Sequence, residues 1–206
     1  MIKTKHHFII YPLFRWLTRY LLKRNFTSIS INGNFIDNGK ALLVISNHIS
    51  WWDGFWVEYI NQKIIHRKMY FMMLEDQLKK HWYFQYTGGY SIKKKSKDII
   101  ESINYTIQLL KDHQNIVLMF PQGEIKSVYN NIIHFENGIN RIIKDCSPDL
   151  QVLFVACFPE YLSDPKPNVF IYLKNYSIEN LRKSNIESEY NLFFNEALNM
   201  QKSKSI

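Results

Sequence analysis

Three short runs of apolar residues that do not alternate with polar ones constrain this chain more than any other feature: Ala41–Ile45, Ile116–Phe120 and Val152–Phe158. A strand with one face in water changes polarity at every second residue, so a run that is apolar throughout is a strand covered on both faces. Such strands need helices above and below them. Strands alternating with helices then predict a layered α/β domain around a mixed, mostly parallel sheet flanked by helices. Two of the helices are legible. Ile99, Ile103, Ile107 and Leu110 fall on one stripe between Lys97 and Lys111, with Ser96 as the expected N-cap. A second long helix is expected after Ser184, where Glu187 completes a capping box, and carries Tyr190, Phe193, Phe194 and Leu198 on its face to about Gln201. Further strand signals lie at Thr27–Ile31, Met69–Met73 and Val169–Leu173.

A length of 206 residues suits one domain with a sizeable core, and 46% hydrophobic against 21% charged residues excludes a disordered chain. The only cysteines, Cys146 and Cys157, show no paired spacing, so neither a disulfide framework nor a zinc site is expected, and a reducing compartment fits. The net charge of +8 is unevenly placed. No acidic residue occurs from Met1 to Ile36, whereas Lys3, Lys5, Arg15, Arg19, Lys23 and Arg24 are basic and are interleaved with Phe8, Tyr11, Phe14, Trp16 and Tyr20. Aromatic residues beside cations are the composition of a membrane interface. Arg15 and Arg19 interrupt the run before it reaches the roughly 20 apolar residues needed to span a bilayer. Residues 1–25 are therefore expected to form an amphipathic N-terminal membrane-interface helix on the cytoplasmic face of a bilayer, and residues 26–206 a single α/β domain. The plainer alternative is an ordinary first helix packed on the domain with its arginines in water. Two more basic clusters, Lys93, Lys94, Lys95 and Lys97, and Lys63, His66, Arg67 and Lys68, suit phosphate groups in general. No nucleic-acid-binding motif accompanies them, so a nucleic acid is not an expected partner.

The chemistry starts where the first buried strand ends, in Asn47-His48-Ile49-Ser50-Trp51-Trp52-Asp53. Reactive groups collect at the carboxyl ends of strands in α/β sheets. A histidine and a nearby aspartate can act as a base and its orienting carboxylate. On a regular helix, five residues would turn the two side chains about 140° apart, so His48 and Asp53 meet only if a turn intervenes. Asn47, Ser50 and Asp53 are turn and cap formers, and Asp53 is placed to open a helix through Phe55–Ile60. The second buried strand runs into Phe120-Pro121-Gln122-Gly123-Glu124, a tight turn whose backbone can approach a ligand closely. Read alone, it is equally a plain loop. His6, His7, His66, His81, His113 and His134 lack metal-ligand spacing, and no metal is expected.

Taken in order, these blocks resemble the glycerolipid, or lysophospholipid, acyltransferase family. His48 and Asp53, preceded by Asn47, are similar to its His-x4-Asp block; Gly89-Tyr90-Ser91-Ile92-Lys93-Lys94 resembles its second block; Phe120 to Glu124 resembles its Phe-Pro-Glu-Gly-Thr-Arg block, with Phe135 and Gly138 similar to the element that follows. Val155-Ala156-Cys157-Phe158-Pro159 matches the last block loosely. The resemblance implies transfer of a fatty acyl group to a hydroxyl of a lyso-lipid or related membrane amphiphile, with acyl-CoA or acyl-ACP (acyl carrier protein) as co-substrate and no cofactor. His48 would be the general base and Asp53 its orienting partner. Asn47, Gly89, Lys94, Phe120, Pro121, Gln122, Gly123 and Glu124 would line the substrates, and N–H groups near Gly123 or at the helix opened by Asp53 would face the developing oxyanion. A catalytically inactive, membrane-surface lipid-binding protein of the same fold is the alternative.

The departures concern the acceptor. Gln122, Glu124 and Ile125 stand where the family usually has Glu, Thr and Arg, and Lys94 where it usually has Arg. Arginine grips phosphate with two parallel bonds and lysine binds it as a point charge, so the phosphate clamp is weakened. The acceptor is therefore expected to be other than a simple phosphate-bearing glycerolipid.

Overall fold

The computed structural model describes residues 1–93 and 98–204. Lys94 and the expected cap Ser96 fall outside the described residues. In chain order the elements begin with α1 (Ile10–Asn25), β1 (Ile29–Asn32), β2 (Leu42–Ser46), α2 (Asp53–Ile60), β3 (Lys68–Leu74) and α3 (Glu75–Lys80). They continue with β4 (Gly89–Ile92), α4 (Asp98–Leu109), β5 (Asn115–Met119) and α5 (Gly138–Asp145). The chain closes with β6 (Gln151–Glu160), β7 (Asn168–Ser177), α6 (Ile178–Lys183) and α7 (Ile186–Lys202). A π-helical turn, Asn61–Ile65, extends α2, and a 3-10 turn, Trp82–Thr87, leads into β4.

The seven strands form one sheet in the order β1-β7-β6-β2-β5-β3-β4, parallel throughout except for the β6–β7 pair. All six expected strands are present. β4 had no strand pattern of its own, because Gly89-Tyr90-Ser91-Ile92 is short and opens with glycine; pairing with β3 makes it a strand. The two-sided burial of the central strands follows from their period of two. Leu43, Ile45, Val117, Met119, Val152 and Phe154 point to one side, where Ile103, Ile139, Ile142, Tyr190 and Phe193 from α4, α5 and α7 cover them. Leu42, Val44, Ile116, Leu118, Leu153 and Val155 point to the other, under Leu22, Phe55, Trp56, Val57 and Ile60 from α1 and α2. The result is three layers, helix, sheet, helix.

The expected cap of the last helix moves by one residue. Asn185, not Ser184, accepts from the Ser188 N–H at 3.1 Å. Glu187 does not reach back to it: its carboxylate accepts from the Phe135 N–H at 2.8 Å and fastens α7 to the loop before α5.

The N-terminal segment is part of the domain. Ile2 and Ser91 exchange bonds, Ile2 N–H to Ser91 Oγ at 2.7 Å and Ser91 N–H to the Ile2 carbonyl at 2.9 Å. Lys5 and His7 donate to the Gln85 and Tyr86 carbonyls. α1 has two apolar faces. Phe14, Leu21 and Leu22 turn inward against α2, while Leu13, Trp16, Leu17 and Tyr20, spaced as one helical stripe, stand exposed. Packing on the domain and an outward apolar stripe thus coexist. No helix among the described residues is long and apolar enough to cross a membrane. In the Lys63–Lys68 cluster Arg67 is withdrawn from the surface: it is buried and its guanidinium bonds the Lys40 carbonyl and the Asp37 carboxylate.

His6 is held inside this N-terminal strap. Its Nε2–H donates to the Met69 carbonyl at 2.8 Å, its Nδ1 is buried without a partner, and its ring meets Tyr11 and Tyr70 edge-on. Burial, with a smaller push from Lys68, lowers its pKa from 6.5 to about 4. The folded chain thus binds the His6 proton less readily than the unfolded chain does. Its contribution to stability is complete above pH 6.5 and is lost as pH falls through the interval down to about 4. A shift of that size corresponds to about 3 kcal/mol. In urea titrations at pH 7 and pH 4.5, His6→Gln, which keeps a donor and does not titrate, is expected to lose less stability on acidification than the wild type; equal losses would refute the assignment.

Candidate active site

β2 and β5 are adjacent and parallel, with Ile45 opposite Met119 in register. The two chains therefore leave the carboxyl edge of the sheet side by side, and the segments beginning at Asn47 and Phe120 meet although they are far apart in sequence. β3 and β4 precede β5 in the chain, yet β5 lies between β2 and β3 and brings the Phe120–Glu124 turn to His48.

The turn required between His48 and Asp53 is present. Residues 48–52 are non-helical and α2 begins at Asp53. Asp53 does not cap its own helix forward; it faces back into the turn. Its Oδ2 accepts from His48 Nδ1–H at 2.7 Å, from the Ile49 N–H at 2.7 Å and from the Ser50 N–H at 2.9 Å. One carboxylate oxygen thus fixes both the loop and the imidazole on it. Asp53 is 0% exposed and its Oδ1 is buried without a partner. Burial pushes its carboxyl up, and the bonds from His48, Ser50 and Ile49 oppose that push. The His48 side chain is 24% exposed. With Nδ1 committed to Asp53, Nε2 is the nitrogen left for a substrate.

The Phe120–Glu124 turn packs directly on this pair. The Phe120 ring stacks on the His48 imidazole, with centroids 4.2 Å apart and planes 15° from parallel. Gln122 Oε1 accepts from the His48 N–H at 2.6 Å, and the Lys126 N–H donates to the His48 carbonyl at 2.9 Å. Both backbone polar groups of His48 are thus held by the segment that follows β5. Gly123 adopts φ 68°, in the left-handed region that favours glycine, and its N–H donates to the Phe120 carbonyl at 3.1 Å. That N–H closes the turn and is already committed, so of the N–H groups near Gly123 this one does not face a substrate. The Pro121 carbonyl accepts from the Glu136 N–H at 2.8 Å, which joins the Phe135–Gly138 element to the site.

Asn47 is fully buried and its amide is used on both sides by β6: Nδ2–H donates to the Cys157 carbonyl at 3.0 Å and Oδ1 accepts from the Cys157 N–H at 2.9 Å. It frames the site by locking the end of β2 to the Val155–Pro159 block. Gly89 opens β4 at the sheet edge, separated from β2 by β5 and β3. A Cβ there would sit 2.8 Å from the Phe84 carbonyl, so close packing explains the glycine. Gly89 is thus set apart from the other expected residues, and Lys94 lies outside the described residues. Sequence reasoning missed Lys126, whose ammonium pairs with the Glu124 carboxylate at 2.5 Å. The pairing of residues two apart in an irregular segment had no sequence signal.

Neither cysteine is a candidate nucleophile. Both are buried, and burial pushes the Cys146 thiol up to about 11 and the Cys157 thiol well above its ordinary value. The site therefore offers one buried carboxylate, one oriented imidazole with a free nitrogen, and a glycine turn stacked beside it. A family model described as Acyltransferase matches residues 28–158, which contain every one of these groups. No curated protein matches the chain.

Proposed function

The chain belongs to the acyltransferase family, and on that premise we propose that it moves a fatty acyl group from an acyl thioester, on coenzyme A or acyl carrier protein, to a hydroxyl of a lyso-lipid or related amphiphile at a membrane surface. The observation that carries the proposal is the 2.7 Å bond from His48 Nδ1–H to Asp53. It fixes the tautomer in which Nε2 is a lone-pair base. As the acceptor oxygen bonds to the thioester carbonyl carbon, Nε2 takes the hydroxyl proton and the carbonyl becomes an oxyanion. The buried Asp53 carboxylate stabilises the imidazolium. Collapse of the intermediate re-forms the carbonyl and breaks the C–S bond; the thiolate leaves and receives the proton from Nε2, so the products are an ester and a thiol. The acyl group passes directly between substrates, in keeping with two cysteines that are buried and held as thiols.

The acceptor follows from the charge beside His48. Gln122 is neutral and spends its oxygen on the His48 backbone, Ile125 is half exposed, and Lys126 pairs with the Glu124 carboxylate. A dianionic phosphate finds no arginine fork in this turn. An aminolipid, glycolipid or other hydroxylated lipid suits it better. The exposed stripe of α1 and the five cations of residues 1–25 other than Arg15, which pairs with Glu58, would hold the protein on an anionic leaflet, each cation worth on the order of 1 kcal/mol there.

Purified protein given acyl-CoA or acyl-ACP and a panel of lyso-lipids is expected to turn over neutral or zwitterionic acceptors at least as efficiently as lysophosphatidate. A strong preference for lysophosphatidate would refute the acceptor assignment. Vesicle binding without turnover of any thioester would favour the inactive lipid-binding alternative.

A further inference from the structure

Phe8, just before α1, is 83% exposed and stacks on His7, with centroids 4.9 Å apart. His7 meets Tyr86 at 6.3 Å, and Tyr86 meets Trp82, itself 62% exposed, at 6.0 Å. Trp82 adjoins Tyr83 at 6.3 Å, Tyr83 meets His81 at 5.8 Å, and His81 meets Trp51 at 4.9 Å. Trp51 is 48% exposed and lies in the turn between His48 and Asp53. A ring-to-ring path thus runs from the residues just before α1, across the 3-10 turn Trp82–Thr87, to the loop that carries His48. Phe55 and Phe84 lie beneath it: Phe14 of α1 packs on both, and so does Trp51.

From this continuity we propose that the 3-10 turn and Trp51 form, together with the outer face of α1, a single membrane-contact surface that sets the mouth of the active site against an anionic leaflet. The proposal rests on the membrane reading of α1 and adds two elements that the sequence did not point to. Its chemistry is that of an interface. Tryptophan and tyrosine carry an apolar ring and a polar tip and settle at headgroup depth. α1 also carries the exposed cations Arg19, Lys23 and Arg24, exposed Lys80 ends the helix just before the 3-10 turn, and residues 1–36 contain no acidic group. That complementarity selects an anionic lipid surface. With Trp51 seated at headgroup depth, an acceptor hydroxyl reaches His48 Nε2 without its acyl chain leaving the leaflet.

Trp82→Ala/Tyr83→Ala alters two exposed side chains outside the catalytic machinery. The double variant is expected to bind phosphatidylcholine vesicles containing phosphatidylglycerol about tenfold more weakly than wild type, since two aromatic contacts are removed. It should acylate a vesicle-borne acceptor more slowly, yet a short-chain acceptor below its critical micelle concentration at the wild-type rate. Tryptophan emission should be quenched by brominated phosphatidylglycerol, and less so in Trp82→Phe and in Trp51→Phe. If the double variant binds normally and Trp82→Phe leaves quenching unchanged, while a Leu13→Ala/Trp16→Ala/Leu17→Ala variant releases the protein, the extended surface is wrong and the α1 reading stands. If wild type acylates the monomeric acceptor but binds no phosphatidylcholine vesicle, with or without phosphatidylglycerol, both membrane readings fall and the acyl-transfer proposal survives.

Discussion

Replacing His48 with alanine is expected to lower kcat for acyl transfer by roughly 10²–10⁴-fold, the usual contribution of a general base. The side chain is partly exposed and its interactions with Asp53 and Phe120 are those of the site, so thermal stability should change little. Asp53→Asn probes the same mechanism from behind. The carboxylate oxygen that accepts from Nδ1 also accepts from the Ile49 and Ser50 N–H groups. An asparagine with its oxygen in that place keeps all three bonds but is neutral, so the imidazolium loses its counter-charge, and its NH2 group takes the Oδ1 position, which is buried without a partner. A loss on the order of 10³–10⁴-fold in kcat is expected. Asp53 is a positioning residue, so its variant should also alter the pH profile, whose limb reports the imidazole. Release of free thiol from acyl-CoA in the presence of acceptor measures both variants. Wild-type rates in His48→Ala would end the general-base mechanism.

Deletion of residues 1–25 is expected to unfold the protein, against the reading of this segment as a separable membrane anchor. Leu22 is 2% exposed within the core under β2 and β6, and truncating one such side chain costs about 2–5 kcal/mol. Arg15 donates to the Glu58 carboxylate at 3.1 Å, and Glu58 is 1% exposed. Stripping a buried carboxylate of its ion-pair partner costs about 3–5 kcal/mol more. Ser91 in the edge strand β4 would lose its bonds to Ile2 as well. Against a typical net stability of about 5–15 kcal/mol, these losses leave little or no folded state. Loss of the cooperative melting transition in the deletion would agree; a transition within a few degrees of wild type would show that the helix is dispensable. Outward substitutions on Leu13, Trp16 and Leu17 avoid the difficulty, because they change the exposed stripe and leave the inward face intact.

Most of the scaffold was legible because its signals are local. The runs at Ala41, Ile116 and Val152 were read as strands covered twice, since burial on both faces removes the need for alternation, and the stripes before Lys111 and Gln201 announced their helices. β4 was not legible as a strand: four residues beginning with glycine carry no preference that survives without β3 beside them. The cap at Asn185 was misplaced because Ser184 and Asn185 are both good caps and Glu187 is drawn away by the Phe135 N–H. α1 was framed as either membrane-facing or packed, yet its two apolar faces let it present one outward while burying the other.

The site divides in the same way. Residue order and spacing alone determined that His48, Asp53 and the Gly123 turn were worth joining, because strand ends and turn formers are written in neighbouring residues. Only the tertiary structure decided that Asp53 turns back onto the loop rather than forward onto its helix, that Gln122 and Lys126 grip the backbone of His48, and that Asn47 serves β6. Those choices depend on which strands lie side by side and in what register. Pairing across the sheet is set by the packing of the whole chain, and no short stretch of sequence contains it.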